Sequence, residues 1–175
     1  TADFVSERFG DSLKAFYGGR IDEVLQHPRY RLHVVTSRGR HVLGREHPIV
    51  TPLAYAGAFL SNLLRRQAMG GWLERVIFSA NCAPLPFATN DYRSRQMALT
   101  KENFNPALQA SCSIPFVLRA VHDIPGAPPG AYWDGGITDY HLHLDYAHAP
   151  RSDSNGGAGL VLYPHFQQAV VPGWL

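Results

Sequence analysis

The sequence predicts a single α/β domain. Its 175 residues, 45% of them hydrophobic, suffice for one core. Segments with strand character alternate with segments of helical character, which is typical of a sheet covered by helices. No internal repeat or low-complexity tract divides the chain. We therefore expect residues 1–175 to belong to one domain, without an internal boundary.

The first half of the chain predicts two strands and a helix between them. Residues 29–37, RYRLHVVTS, are rich in β-branched residues and partly alternating, so they predict a strand. A helix is then predicted with Thr51 as its N-cap, Pro52 in its first turn and Gly70 as its stop. Residues 72–80, WLERVIFSA, predict the second strand.

The middle of the chain predicts a third strand at residues 95–99 and a second helix. This helix begins at Asn105 and Pro106 and must end before Pro115, because the residue ahead of a proline is disfavoured in the α region. A short extended segment, GAYW, then leads into Asp134.

The last part of the chain predicts a loop and a strand. Residues 149–159, APRSDSNGGAG, have the composition of a surface loop, and residues 159–164, GLVLYP, predict a final apolar strand.

Charge and cysteine content exclude several classes of protein. The formal net charge is +2 and the basic residues are scattered, so no nucleic-acid partner is expected. Cys82 and Cys112 lie far apart and outside any CxxC motif, which argues against a zinc site and a disulfide scaffold. We expect both to be buried as small apolar side chains. No run of 18 apolar residues is present to span a bilayer.

The clearest candidate for chemistry is Asp134, in the stretch GAYWDGGITDYHL. Functional groups in α/β sheets often lie where a strand ends, and Asp134 has this position. Gly135 and Gly136 follow it and, by adopting positive φ, would let the chain turn sharply and direct the carboxylate away from the sheet. The alternative is an ordinary Asp-Gly turn, in which the carboxylate only accepts hydrogen bonds from nearby amides.

The residues around Asp134 resemble a known family. A helix ending in ASCSIP, a short apolar strand, a loop and then DGG together resemble the C-terminal half of the patatin-like phospholipases, which are lipid acyl hydrolases with a Ser-Asp dyad. The resemblance is close over residues 107–142 and looser over the strands predicted upstream. It implies a three-layer α/β/α sheet fold, of which this chain would form the C-terminal portion.

The resemblance also implies a site and a substrate. Asp134 matches the aspartate of the dyad, and Gly135 and Gly136 match its glycines. The implied substrate is a phospholipid or another lipid acyl ester, and no cofactor is implied. The implied location is cytoplasmic, with peripheral association at a membrane surface as a further option, and secretion stays open.

The chemistry of this dyad requires an unusual carboxylate. A serine hydroxyl becomes a good nucleophile when a base within hydrogen-bond distance accepts its proton. An aspartate with its ordinary pKa of about 3.9 is a weak base, so we expect partial burial to raise the pKa of Asp134. Tyr132 and Trp133 are the neighbours expected to form the apolar wall.

The nucleophile of the dyad is missing from the sequence. None of the ten serines lies in a G-x-S-x-G motif, and the nearest approach, GDSLK at residues 10–14, has Lys14 in place of the second glycine. No glycine-rich oxyanion loop precedes Asp134. We therefore expect the chain to be the C-terminal part of a longer hydrolase and to be inactive alone. Tyr140 and Leu142 replace the Asn and Pro common in the family, which leaves the substrate open.

Other residues could suggest other sites. His141 and His143 in HLHLD could be metal ligands on one face of a strand, with Asp145 in line, but spacing indicates no further ligand, and we expect no metal. Ser111 and Ser113 end the predicted helix, where hydroxyls commonly bond to backbone carbonyls.

Two further features are expected to be structural. Cys112 lacks a histidine at a recognisable spacing and is expected in the core rather than as a reactive thiol. The stripe of Leu53, Leu60 and Leu64 could contact lipid, but apolar residues at helical spacing usually face a core, and we expect that here.

Two classes of function follow. In the first, the parent protein is a serine hydrolase of lipid acyl esters in which Asp134 is the base. In the second, the protein is a catalytically inactive module that binds lipid or a partner.

Overall fold

The fold is a five-stranded mixed sheet with helices on both faces, seen in a computed structural model that describes residues 1–140, 142, 144–146 and 162. The helices are α1 (Ala2–Tyr17), α2 (Ile21–Leu25), α3 (Val50–Leu64), α4 (Phe104–Ser111) and α5 (Gly136–Asp139). The strands are β1 (His33–Gly39), β2 (Leu73–Ala80), β3 (Ser94–Leu99), β4 (Val121–His122) and β5 (Ala131–Asp134). Short 3₁₀ helices occupy His41–Gly44 and Arg66–Gly71. The predicted α/β class is confirmed.

The strand order is β3-β2-β1-β5-β4, so β1 lies at the centre. β1 runs antiparallel to both β2 and β5, β4 is antiparallel to β5, and β2 and β3 are parallel. The register places Thr36 of β1 opposite both Val76 and Asp134. The end of β5 therefore lies beside the middle of the central strand.

Each face of the sheet supports its own core. On one face α2 and α4 pack against the strands, and on the other α3 does so. The first core contains Ile21, Val34, Val76, Phe78, Leu99, Phe104, Ala107, Ala110, Ile124 and Tyr132. The second contains Leu43, Ala54, Tyr55, Met69, Leu73, Tyr92, Ala120, Ala131, Trp133 and Ile137. Adjacent residues of β5 thus point to opposite cores, as a strand requires.

The predicted strands are confirmed, with shifted ends. The first begins at His33 rather than at residue 29, and the segment leading into Asp134 is β5. The second helix begins at Phe104 and ends at Ser111, ahead of Pro115 as expected. The predicted loop at residues 149–159 lies outside the described residues. So does the predicted strand at residues 159–164, apart from the exposed Leu162.

The predicted ends of α3 are wrong. The helix begins at Val50, so Thr51 is inside it, and the Thr51 Oγ1 accepts a hydrogen bond from the His47 N–H at 2.8 Å. It ends at Leu64, well before Gly70. The chain turns back there because Trp72 packs against the helix and its Nε1 donates to the Ser61 Oγ at 3.0 Å.

The expectation that the leucine stripe of α3 faces the core is also wrong. Leu53, Leu60 and Leu64 are 68%, 61% and 89% exposed. The buried face consists of smaller or hydroxyl-bearing residues, namely Thr51, Ala54, Tyr55 and Ala58. The leucines lie on the side of the helix that faces away from these residues and from the sheet.

Helix α1 was not predicted from the sequence, and it packs against α4. Gly10 lies against Gln109, where a Cβ would come within 3.1 Å of the amide oxygen. The Gln109 Nε2 donates to the Ser6 carbonyl at 3.1 Å. In the part of the chain that the structure describes, no helix is long and apolar enough to cross a membrane.

Candidate active site

Asp134 is the last residue of β5 and lies where the strand leaves the sheet. Its side chain is on the face that carries Thr36 and Tyr132, because residues that pair across strands, or lie two apart, share a face. Its own N–H donates to the Ser113 carbonyl at 3.0 Å. The position at a strand end predicted from the sequence is confirmed.

The two glycines after Asp134 are needed for space, not for a left-handed backbone. Gly135 has φ −61° and Gly136 begins the one-turn helix α5, so the expected positive φ is wrong. A Cβ on Gly135 would lie 2.5 Å from the Val35 carbonyl oxygen of β1. A Cβ on Gly136 would lie 3.1 Å from the Asp134 Oδ1. The first glycine lets the turn contact the central strand, and the second leaves room for the carboxylate.

The Asp134 carboxylate is half-buried and asymmetrically bonded. Its Oδ1 accepts a hydrogen bond from the Gly136 N–H at 2.7 Å, as in the Asp-Gly turn considered above. No described residue donates to its Oδ2. Burial raises the pKa of Asp134, and the Gly136 hydrogen bond offsets part of that rise. The turn therefore fixes one oxygen and leaves the other available as a base.

A cavity of about 310 Å³ adjoins the carboxylate. Its apolar wall comes from β1, the segment before it, and α4 rather than from the aromatic residues of β5. The lining residues are Leu32, His33, Val34, Val35, Leu108, Ser111, Asp134, Gly135, Gly136, Asp139, Tyr140 and Leu142. The His33 Nδ1 lies 2.9 Å from the Ser79 Oγ, and burial lowers the pKa of His33, which favours its neutral form.

The proposed wall of Tyr132 and Trp133 is not observed. Both side chains are fully buried, and neither lines the cavity. Trp133 points to the opposite core, where its ring packs edge to face with Tyr55 at 6.2 Å. Tyr132 packs against Phe78 in the first core. Alternation along β5 explains the difference for Trp133, since neighbours of a strand residue face away from it.

The serines near Asp134 bond to the backbone, as expected. The Ser111 Oγ lines the cavity and donates to the Val35 carbonyl at 2.8 Å. The Ser113 Oγ donates to the Gln109 carbonyl at 2.8 Å. Each hydroxyl proton is thus already committed, and neither serine lies on a turn between a strand and a helix.

The expectation that both cysteines are buried is wrong. Cys82 and Cys112 are exposed. Partial desolvation and the negative charge of Asp134 raise the pKa of the Cys112 thiol, which disfavours the reactive thiolate. Cys112 thus lies near the carboxylate but is poorly suited to act as a nucleophile. Its position just after α4 leaves it at the surface.

Below Asp134, the turn is anchored by a buried ion pair that sequence reasoning missed. Asp139, the last residue of α5, binds the guanidinium of Arg75 at 2.7 Å through Nε and at 2.6 Å through Nη2. Both side chains are almost completely buried. Arg75 belongs to β2, so this pair ties the turn after Asp134 to the interior of the sheet.

The buried pair extends into a network. Asp91 accepts hydrogen bonds from both Arg75 and Arg66, which together outweigh its burial and lower its pKa to about 2. The Tyr92 hydroxyl donates to the Thr138 Oγ1 at 2.8 Å. Every polar group of α5 that faces the core thus has a partner, which is the condition for burying charge.

One signal for this network was present in the sequence. Residues 73–80 read as a fully buried strand, yet they contain Glu74 and Arg75. Buried charges are nearly always paired, so two partners had to exist elsewhere. Their identity required the fold: Arg38, Arg93 and Arg95 surround Glu74.

Two other sequence hypotheses can be placed only in part. His141 and His143 lie outside the described residues. Of the three residues in the metal hypothesis, the structure therefore locates only Asp145. Among residues 1–140, 142, 144–146 and 162, no group of three potential ligands is close enough to hold a metal ion. Ser12 of GDSLK lies within α1, where its Oγ donates to the Arg8 carbonyl at 2.9 Å. This position is not a strand-to-helix turn.

Comparison of the chain with protein-family models, with curated proteins and with solved structures returns no match.

Proposed function

We propose that this chain contributes the base of a serine hydrolase of the patatin-like type, which cleaves acyl esters of phospholipids or other lipids. Asp134 is the base, Gly135 and Gly136 shape its turn, and the nucleophile is a serine outside the 175 residues. The proposal includes the finer fold, a three-layer α/β/α sheet of that family. It requires no cofactor.

The observation that carries the proposal is the state of Asp134. The carboxylate is half-buried beside an apolar cavity, its pKa is raised by burial, and only one of its oxygens has a described hydrogen-bond donor. An aspartate that served only the turn would not need a cavity beside it. A base needs one, because the serine hydroxyl must approach to within about 2.6 to 3.2 Å.

The proposed reaction passes two protons through Asp134, one in the acylation half and one in the deacylation half. As the serine oxygen attacks the ester carbonyl, its proton passes to the Asp134 Oδ2. When the tetrahedral intermediate collapses, the ester C–O bond breaks and Asp134 returns the proton to the leaving alcohol. Water then attacks the acyl-enzyme, Asp134 accepts its proton, and the serine regains a proton as the fatty acid leaves.

The surroundings support this role in two ways. The apolar side chains Val34 and Leu108 line the cavity and keep water from stabilising the charged carboxylate. The ion pair between Asp139 and Arg75 holds the turn rigidly against the sheet, which fixes the direction of the base.

The direct test is labelling of the full-length native protein with a fluorophosphonate serine probe, followed by mapping of the labelled peptide. We expect the label on a glycine-flanked serine outside these 175 residues. Labelling should fall strongly in Asp134→Asn. Absence of label on folded protein would contradict the proposal.

The isolated 175-residue chain provides a second test. We expect it to be inactive towards esters, because a dyad with one member has no nucleophile. Turnover by the purified chain that is lost in Asp134→Ala would place the nucleophile within the chain, and Ser111, which lines the same cavity, would be the first serine to replace.

A non-catalytic lipid-binding or interaction module is the second candidate. Two observations favour it: Ser111 and Ser113 donate their protons to backbone carbonyls, and α3 displays an apolar surface to solvent. Under this alternative the full-length protein binds lipid but takes no fluorophosphonate label.

A further inference from the structure

The outward face of α3 carries no polar residue. The helix contains no charged residue, and every one of its exposed residues is apolar, namely Val50, Pro52, Leu53, Ala56, Phe59, Leu60, Leu63 and Leu64. Its few polar side chains are buried or half-buried, and the Ser61 hydroxyl is bonded within the helix to the Gly57 carbonyl. A helix that is apolar all round is normally buried on all sides, but here only one side is covered by the protein.

A second apolar segment lies next to this helix. Ile114, Phe116 and Val117 are exposed, and the Phe116 ring packs edge to face with Tyr55 of α3 at 5.8 Å. Phe116 has φ +69°, a backbone conformation that is unfavourable for a bulky side chain. The fold thus holds an aromatic ring at the surface, against local backbone preference, beside the leucines of α3. We call these residues, the exposed side of α3 with Ile114, Phe116 and Val117, the apolar platform.

Charges around the platform are few: Glu46, paired with Arg119, lies beside Pro52 and Phe116 near the start of α3, and two arginines follow its end. From residue 47 to residue 73 the sequence contains no Asp or Glu, and its only arginines are Arg65 and Arg66. Arg66 is engaged with Asp91 and Asp139. Arg65 is exposed directly after the end of α3, and it forms no ion pair with any described residue. Within the part of the chain that the structure describes, a cation without an ionic partner therefore lies at the end of an uncharged apolar face.

We propose that the apolar platform docks the protein on a membrane that contains anionic lipid, with α3 parallel to the surface and Arg65 among the lipid headgroups. The leucines enter the upper acyl region, and the arginine stem extends along the interface while its guanidinium contacts phosphate. Docking needs no catalysis, so it stands whether or not the chain belongs to a hydrolase.

A membrane fits this surface better than a protein partner does. Protein interfaces contain about as much polar area as the rest of the surface, and they form hydrogen bonds throughout. The exposed side of α3 offers no side-chain donor or acceptor over its whole length. Fluid hydrocarbon makes no such demand, and its anionic headgroups complement the charge of Arg65.

The platform also lies close to Asp134. Ser113, whose carbonyl accepts the Asp134 N–H, directly precedes Ile114 of the platform. The Asp134 side chain itself is on the opposite face of the sheet from α3, so docking and the proposed catalysis are separate properties of the fold.

The test is co-sedimentation of the chain with two kinds of vesicle. One contains phosphatidylcholine alone, and the other contains about 30% phosphatidylglycerol as the anionic lipid. We expect Leu53→Gln/Leu60→Gln/Leu64→Gln to lower the partition coefficient about 100-fold, since each leucine contributes roughly fivefold. The matched control is Phe4→Gln/Phe16→Gln, which removes two exposed aromatic rings of α1 outside the platform and should leave binding unchanged.

Two further variants separate the contributions. Leu64→Gln changes the most exposed leucine of the platform, so it should fold normally and weaken binding about fivefold. Arg65→Gln should reduce the preference for anionic vesicles about fivefold and leave binding to neutral vesicles unchanged. Circular dichroism and the melting temperature verify that each variant is folded.

Two results would overturn the proposal. One is a folded triple variant that binds vesicles as the wild type does. The other is self-association of the lipid-free chain, measured by sedimentation velocity, that the triple variant abolishes without a change in vesicle binding; the platform would then be an interface with a second copy. Vesicle binding is independent of the serine label, so failure of docking and failure of the hydrolase proposal are distinguishable.

Discussion

Asp134 and Asp139 are five residues apart on the same turn, and their surroundings differ in every respect that decides what a carboxylate can do. Asp139 is nearly fully buried and is bound by two arginines, one of them through two nitrogens. Asp134 is half-buried, faces a cavity and has one described donor, the N–H of Gly136. One carboxylate is saturated with hydrogen bonds, and the other is not.

The difference gives the two carboxylates different roles, one structural and one with the properties that catalysis requires. A buried carboxylate whose two oxygens both accept hydrogen bonds from arginines has no oxygen open to a reacting group. A carboxylate that is desolvated without a cation has a raised pKa and an available oxygen, which are the properties of a base. The saturated aspartate positions the turn on which the unsaturated one is presented.

The largest expected effect comes from removing the proposed base. Asp134→Asn in the full-length protein should lower the rate of fluorophosphonate labelling about 10³-fold, because the serine proton loses its acceptor. Stability should change little, since the amide oxygen of asparagine still accepts the Gly136 N–H and the buried charge is gone. Denaturation in urea measures the stability.

The matched control for this prediction is Asp123→Asn, on an exposed turn at the other end of β5, whose carboxylate accepts the Gly130 N–H at 2.8 Å. It removes a turn aspartate with the same kind of hydrogen bond, but one that is exposed and lies outside the cavity beside Asp134, so labelling should be unchanged. Equal labelling rates for Asp134→Asn and Asp123→Asn would reduce Asp134 to an ordinary turn residue.

The next largest effect is the loss of stability when Asp139, the aspartate bound by two arginines, is replaced. Asp139→Asn should lower the free energy of unfolding by about 3 kcal/mol, because it removes the charge that compensates the buried Arg75. Urea denaturation of the isolated chain measures this. Asp22→Asn, which breaks the exposed pair with Lys101, should cost less than about 1 kcal/mol. If the two variants cost the same, the buried network does not anchor the turn.

The glycine between the two aspartates gives the third test. Gly135→Ala places a Cβ 2.5 Å from the Val35 carbonyl oxygen, so the turn must move away from β1 at a cost of about 2 kcal/mol. Labelling by fluorophosphonate should fall as well, since Asp134 moves with the turn. Gly19→Ala is the control, because its Cβ meets no atom within 4 Å. A neutral Gly135→Ala would show that the turn adapts freely.

The sequence was sufficient for the local features of this comparison. Alternation and β-branched residues located the strands, and a proline limited the end of α4. Asp134 could be identified because its signal is contiguous: an extended segment, a carboxylate and two glycines. The reason for the glycines could not be obtained, since close contact with Val35 depends on strand pairing between residues about 100 positions apart.

The long-range partners were beyond a single sequence. Asp139 meets Arg75 only because β2, β1 and β5 lie side by side in that order. Helix α3 illustrates a second limit. An apolar stripe normally indicates the buried face, but α3 is apolar on both sides, and the small residues rather than the leucines pack on the sheet. The apolar stripe alone therefore could not identify the buried face, which also contains Thr51 and Tyr55.

The dependence of stability on pH should distinguish paired from unpaired carboxylates by sign. The pKa of Asp91 is about 2 in the folded protein, below its ordinary value of 3.8, so its stabilising contribution is complete above that value and is lost as pH falls through 3.8 towards 2. This shift corresponds to about 2 kcal/mol. The stability advantage of the wild type over Asp91→Asn should therefore shrink between pH 5 and pH 2.

Asp134→Asn provides the opposite case for the same measurement. The folded pKa of Asp134 is raised, so the charged carboxylate costs stability once the pH exceeds that pKa. Relative to the wild type, Asp134→Asn should become more stable as pH rises. Urea denaturation at each pH measures both series, and shifts of the same sign would contradict the contrast between the two carboxylates.

The smallest expected effect is on the pH profile of the labelling rate, in its acid limb, where the rate falls as Asp134 becomes protonated. Leu108 lines the cavity beside Asp134, and Leu108→Gln should admit water to the carboxylate and lower its pKa towards the ordinary value. The acid limb of the rate of fluorophosphonate labelling should then move to lower pH. Leu13→Gln is the control: Leu13 is also a half-buried leucine, but it lies on α1 and outside the cavity lining. An acid limb that stays in place in Leu108→Gln would mean that Leu108 does not contribute to the burial that raises the pKa of Asp134.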